Sequence, residues 1–395
     1  MENNNDNKVL NVPHLRFTEF SGEWKEELLD RIATLSKGIG IPKEQLSEDG
    51  DPCILYGELY TKYKSEIIKQ VESKTDIDGS KLKRSKANDV IIPCSGETAV
   101  DIATARCVPF DSILLGGDLN VISLHKYDGA FMSYQLNGKR KYDIARVAQG
   151  VSVVHLYGEH LKTIKTYNPT LPEQQKIAIL LSLLDERIAT QNKIIEDLKK
   201  LKCAIIEKLY SKIQGKEYSY GQLFDVVNER NKQMEYYNIL SASQEKGMVN
   251  RDDLNLDIQF ERSNINTYKI VRKGDYVIHL RSFQGGFAFS DKLGVCSPAY
   301  TILRPNSLLE YSYLSYYFTS QRFIKSLIIV TYGIRDGRSI NVEEWLNMKV
   351  VIPSKEHQLH TLNVLKRIDD KVENEEKYAT CLSNQKQYLL RQMFI

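Results

Sequence analysis

The sequence predicts an α+β chain: two tandem globular parts, each a twisted β-sheet with short helices, and two long helices that form a coiled coil. Three observations lead there. The stretch Leu171–Lys212 reads as one long helix with a heptad seam. The same seam returns 184 positions later. The strand-like stretches ahead of each helix also recur in order, so the chain reads as one unit occurring twice.

The central helix opens with Pro172 just inside its start, where the missing N–H costs nothing, and Glu173 suits the positive end of the helix dipole. No Gly or Pro interrupts it up to Lys212. Leu181, Leu184, Ile188, Ile195, Leu198, Ile205 and Leu209 make the seam, with Gln191 and Lys202 as polar exceptions. At ~1.5 Å per residue the helix is roughly 60 Å long, several times the usual length. Alone it would leave its apolar stripe in water. It needs a partner.

The partner is the C-terminal stretch. There Leu365, Ile368, Val372, Ala379, Leu382, Leu389 and Met393 repeat the seam, and LSLLDERI corresponds to LKRIDDKV. The polar exceptions recur in kind, Gln191 with Glu375 and Lys202 with Lys386. The organisation is therefore a first globular part over 1–171, a central helix over 172–213, a second globular part over 214–355 and a C-terminal helix over 356–395.

Composition narrows the function. No apolar run approaches the ~18–20 residues of a membrane span, and the polar start MENNNDNK is unlike a signal peptide. Six cysteines are scattered without a CxxC pair, which predicts reduced thiols in the cytoplasm over a disulfide frame or zinc site. A net charge of +3 permits nucleic-acid binding through local patches and does not by itself argue for it.

In chain order, Val12–Trp24 reads as an extended arm over the first domain, and Leu28–Gly38 as a short helix or strand closed by glycine. The tyrosines at 56, 60 and 63 beside Lys62 and Lys64 fit either a nucleic-acid groove, where rings and cations act together, or core. Asn88–Pro93 reads as a buried strand after the basic run Lys81–Lys86, and Ile113–Leu124 as two strands around a Gly-Gly turn. Asn137–Arg146 is a second basic cluster. The second part repeats the plan: Gly221–Val227 matches the stretch near residue 30, Lys273–Leu280 a turn and buried strand, and Tyr311–Ser320 a helix packed on the sheet. Thr331–Trp345 is a Gly- and Arg-rich loop before the last strand.

Catalytic signatures are sparse. The sequence has no phosphate-binding GxxxxGK[ST] or GxGxxG loop and no (D/N)PP(Y/F) stretch for methylating adenine. His357 and His360 lack the further ligands of a metal site. From the residues alone the chain is a two-headed binding scaffold.

The duplicated plan, the Leu/Ile-Pro entry to each long helix with a glutamine beyond it, and the LxxLDExI-type core (Leu181–Ile188, Leu365–Val372) resemble the specificity subunit of type I restriction-modification systems. NVPHLRFTEFSGEW and LYGELYTKY are similar to the leader and first domain of such subunits. The second helix enters differently, IPSKEHQLHTL against LPEQQKIAIL, which leaves its register less secure at the start.

The resemblance implies two target-recognition domains, each reading half of a split site in double-stranded DNA. It also implies that the helices pack antiparallel as a spacer, giving a pseudo-two-fold internal repeat. Two modification (methyltransferase) subunits would dock on them, with restriction (motor-nuclease) subunits outside. The chain would hold no cofactor and do no catalysis; S-adenosylmethionine, ATP and Mg²⁺ would belong to the partners. The readings that stay open are a specificity subunit of a type II-like restriction-methylation enzyme, a coiled-coil adaptor that binds no DNA, and an enzyme with a diverged motif.

Base edges are read by Arg, Lys, Asn, Gln, Ser and Thr on rigid loops. The candidates are Lys62, Tyr63, Lys83, Arg84, Ser95, Lys139 and Arg140 in the first domain, and Arg281, Ser282, Gln284, Tyr332, Arg335 and Arg338 in the second. The spacer seam rests on Leu181, Leu184, Ile188, Ile195 and Leu198 against Leu365, Ile368, Val372, Leu382 and Leu389. Ile177, Ile194 and Ile206 flank that seam and are expected to bind the methyltransferase subunits.

Overall fold

The computed structural model describes residues 10–150, 153–243, 246–253, 262–279, 286–332 and 339–395. The chain folds as two compact units. One comprises residues 1–193 and 377–395, the other 194–376. The division falls inside both long helices, Leu171–Ser211 and Lys355–Gln392, whereas the sequence reading placed domain limits at the helix ends. Each helix half packs with the globular part beside it.

In the first unit a four-stranded antiparallel sheet has the order Ala33–Lys37, Leu119–Leu124, Asp89–Pro93, Arg106–Val108. The sheet is covered on both faces, which is why its inner strand Asp89–Pro93 is buried throughout and reads as a continuous apolar run. Alternation still sorts the side chains. Val90, Ile92 and Ile122 join Met132, Leu136 and Ile144 in one core, while Ile91 and Val121 join Ile54, Leu59 and Leu115 in another. The second core lies under a smaller sheet of Leu46–Ser47, Ser73–Thr75, Asp51–Ile54 and Leu114–Leu115.

The second unit repeats the main sheet strand for strand: Phe224–Val227, Thr301–Pro305, Tyr276–Ile278, Phe287–Phe289. Its larger core is aromatic. Trp345 stacks on Tyr220 at 4.2 Å, with Phe224, Phe287, Phe318 and Phe323 around them. Each globular part is closed by a two-stranded ribbon, Lys25–Leu28 with Lys165–Asn168 and Lys216–Ser219 with Lys349–Ile352. The ribbon returns the chain to where it entered, directly ahead of a long helix.

Both helix entries are built alike. Gln174 donates to the Pro169 carbonyl at 2.8 Å and accepts from the Asp128 N–H at 2.9 Å. Gln358 donates to the Pro353 carbonyl at 3.1 Å and accepts from the Glu310 N–H at 2.8 Å. The matching prolines are thus Pro169 and Pro353, 184 positions apart, and the register that looked insecure at Ile352-Pro353 holds.

Within the first unit, residues 177–181 of the central helix cluster with Leu389, Leu390 and Met393, and Asp185 pairs with Lys386. Within the second, Lys199 pairs with Glu376, Lys202 with Asp369, and Ile206 clusters with Leu365. Numbers rise on one helix as they fall on the other. The pairing is antiparallel in each unit.

Candidate nucleic-acid interface and spacer

In the first domain the short helix Glu58–Thr61 separates two clefts. Lys62 lines one, with Lys43 and Tyr56; Ser95 lines the other, with Tyr60, Arg106 and His155. Lys62 is half-exposed and pairs with Glu58 at 2.8 Å, a bond that raises its pKa. Tyr60 donates to the Ser95 carbonyl at 3.1 Å and so ties the helix to the Ser95–Gly96 strand.

Tyr63 does not belong with them. It is 6% exposed and sits in the core with Ile68 and Ile91. Its ring follows the turn that ends the short helix and is drawn inward by apolar neighbours. Arg140 also turns inward: it donates to the Ile395 carbonyl at 3.1 Å, pairs with Asp143 and lies over the Tyr167 ring. With its fork occupied by the chain itself, Arg140 is a tether, and it leaves the set of base-reading candidates with Tyr63. Arg84 is exposed and bonded to Asp51 at 2.6 Å, while Lys83 and Lys139 are half-buried.

In the second domain Arg281, Ser282, Gln284, Arg335 and Arg338 lie outside the described residues. Tyr332 is placed by its backbone, in the strand Thr331–Tyr332 paired with Ser339–Ile340.

The seam residues Leu181, Leu184, Ile195, Leu365, Val372 and Leu382 are buried, and Ile188, Leu198, Ile368 and Leu389 half-buried. Two of the flanking isoleucines are not free for a partner. Ile177 is 1% exposed, against Trp24, Phe131 and Phe394, and Ile206 is 4% exposed in the aromatic core of the second domain. A helix that meets both a second helix and its own domain buries a wider stripe than a heptad seam. Ile194 stands apart at 41% exposed.

The two lysines among the polar exceptions of the seam have a structural cause that the sequence reading missed. Tyr134, on the helix Gly129–Asn137, donates to Asp185 at 2.7 Å. Asp185 pairs with Lys386 at 2.6 Å, and Lys386 lies 5.7 Å from the Tyr134 ring. That helix is capped by Asp128, which accepts from the Phe131 N–H, and its first residue is glycine because a Cβ at 129 would sit 2.3 Å from the Asn88 carbonyl oxygen. In the second unit Tyr316 donates to Asp369 at 2.7 Å, Asp369 pairs with Lys202, and Lys202 lies 5.2 Å from the Tyr316 ring. Burial and the neighbouring carboxylate push both phenols above the usual tyrosine range. The repeat spacing did not reveal the tyrosines, since Tyr134 and Tyr316 stand 182 positions apart and the aspartates 184.

With this geometry in view, residues 22–200 match the family described as type I restriction modification DNA specificity domain. This first half of the chain resembles a type I DNA specificity domain. A curated relative, the type I restriction enzyme MjaVIII specificity subunit of Methanocaldococcus jannaschii, is 25% identical over 324 residues, 73% of this chain and 74% of the relative. A crystal structure of the type I restriction-modification S subunit from M. genitalium matches at a TM-score of 0.56 and 17% identity, over 97% of this chain and 99% of that one. A chain from a study of complex assembly and conformational transition of the type I system matches at 0.60 and 14%, over 94% and 97%. The specificity-subunit resemblance holds in family model, relative and fold, and both domains belong to that fold. Among the described residues no helix is long and apolar enough to cross a membrane.

Proposed function

We propose that the chain is the DNA-specificity subunit of a type I restriction-modification complex. Each globular domain reads one half of a bipartite site, and the paired helices hold the domains and dock two methyltransferase subunits, with restriction subunits outside them. The observation that carries this reading is the duplication: two like-folded domains, each seated on antiparallel helix halves by the same Tyr–Asp–Lys set. A split site needs two readers in related orientations, and one chain with two unlike readers allows a site that is not a palindrome.

The chain supplies recognition and leaves chemistry to its partners, which would bring S-adenosylmethionine, ATP and Mg²⁺, all in the cytoplasm. Base contacts fall to accessible polar side chains such as Lys62, Arg84 and the half-buried Ser95 in the first domain and to the Arg281–Gln284 and Arg335–Arg338 stretches in the second.

The test is DNA binding by the chain assembled with its modification subunits. Affinity should fall steeply with salt, as several neutralised phosphates require, and be specific to one bipartite sequence. Cutting or methylation by the chain alone, given Mg²⁺ and S-adenosylmethionine, would overturn the division of labour.

A further inference from the structure

Each Tyr–Asp–Lys cluster ties together three elements that form separately. In the first unit the tyrosine comes from a domain helix, the aspartate from the central helix and the lysine from the C-terminal helix. In the second, the long helices exchange roles: Asp369 lies on the C-terminal helix and Lys202 on the central one. The first cluster is larger, since Lys386 also bonds Glu66 at 2.5 Å and Ser65 donates to Asp185 at 3.1 Å.

An apolar seam is a poor ruler by itself. Burial of leucine is non-directional, and a heptad seam offers near-equivalent registers. A polar side chain at a seam position is the established way to specify one register, at a cost in stability. Lys202 and Lys386 occupy such positions, and each meets an aspartate and a tyrosine ring there.

On the reading proposed above, we infer that Lys202 and Lys386 are positioning residues for specificity. Each fixes its domain at one register on the helices, and together they restrict the gap between half-sites that the complex accepts.

The experiment uses the full chain assembled with its modification subunits. Methylation is measured on duplexes with the cognate gap and with gaps one base pair shorter or longer, half-site bases unchanged. Lys386→Met should lower the cognate-to-off-gap ratio about tenfold, and Lys202→Met, at the more exposed pair, by a smaller factor of about threefold. Lys202→Arg should restore most of it. Tyr134→Phe and Tyr316→Phe remove one hydrogen bond and keep the ring. They should shift the ratio in the same direction, which covers the case of a methionine variant that fails to assemble. Assembled variants that methylate all duplexes more slowly with an unchanged ratio would show a purely structural role and overturn the inference. A wild-type complex indifferent to the gap would instead overturn the specificity reading on which it rests.

Discussion

Asp185 and Asp369, 184 positions apart, each accept a 2.7 Å hydrogen bond from a tyrosine of the domain packed on their own helix. Their lysine partners differ in burial. Lys386 and Asp185 are 15% and 6% exposed, and Lys202 and Asp369 are 28% and 37% exposed. Lys386→Met leaves Asp185 and Glu66 buried without their cation and should cost about 3–5 kcal/mol. Lys202→Met strands a carboxylate that water still reaches and should cost about 1 kcal/mol or less. Denaturant unfolding of the two variants checks the order.

Glu66 adds a pH dependence. Burial raises its pKa above the ordinary 4.5, Lys386 opposes that and Asp185 reinforces it. The folded state therefore holds the proton more tightly than the unfolded chain does. Stability from this group is fully present below the unfolded value and is lost as pH rises through the folded one. Relative to Glu66→Gln, which cannot ionise, the wild type should lose stability as pH is raised from about 4.5 toward neutrality. Unfolding curves of both proteins across that range give the sign. A difference that grows in the wild type's favour with pH would contradict it.

Much of this architecture was legible in the sequence, because a repeat prints its spacing. Leu181 with Leu365, Asp185 with Asp369 and Lys202 with Lys386 were all visible, and their burial and pairing follow the repeat. What failed was the assignment of faces. Heptad reasoning recovers the helix-to-helix seam and is blind to the second face that each helix turns to its own domain, so Ile177 and Ile206 read as free. Tyr63 and Arg140 failed for a related reason. A ring or cation in a polar stretch looks exposed until tertiary neighbours claim it. The base-reading side chains follow no spacing rule, since loops carry no periodicity to decode.

The helix faces separate by mutation. Leu181→Ala and Leu365→Ala, both at fully buried seam positions, should each cost about 2–5 kcal/mol. Ile177→Asp and Ile206→Asp place a charge in a domain core and should unfold the adjoining unit. Ile194→Asp should leave the fold intact and weaken co-elution with the modification subunits in gel filtration. Unchanged co-elution would remove Ile194 from the docking face.

Modularity follows from the two separate domain cores. Replacing 1–168 with the corresponding part of another specificity subunit should change one half of the methylated motif and leave the other. A change in both halves, or in neither, would show that the duplication is structural without dividing recognition.

The most direct measurement is the methylome of a cell that expresses the modification subunits with and without this chain. The account predicts one methylated motif that depends on the chain and consists of two unlike half-sites separated by a fixed gap. Methylation that persists without the chain, or a chain-dependent motif that is a single continuous sequence, would contradict it.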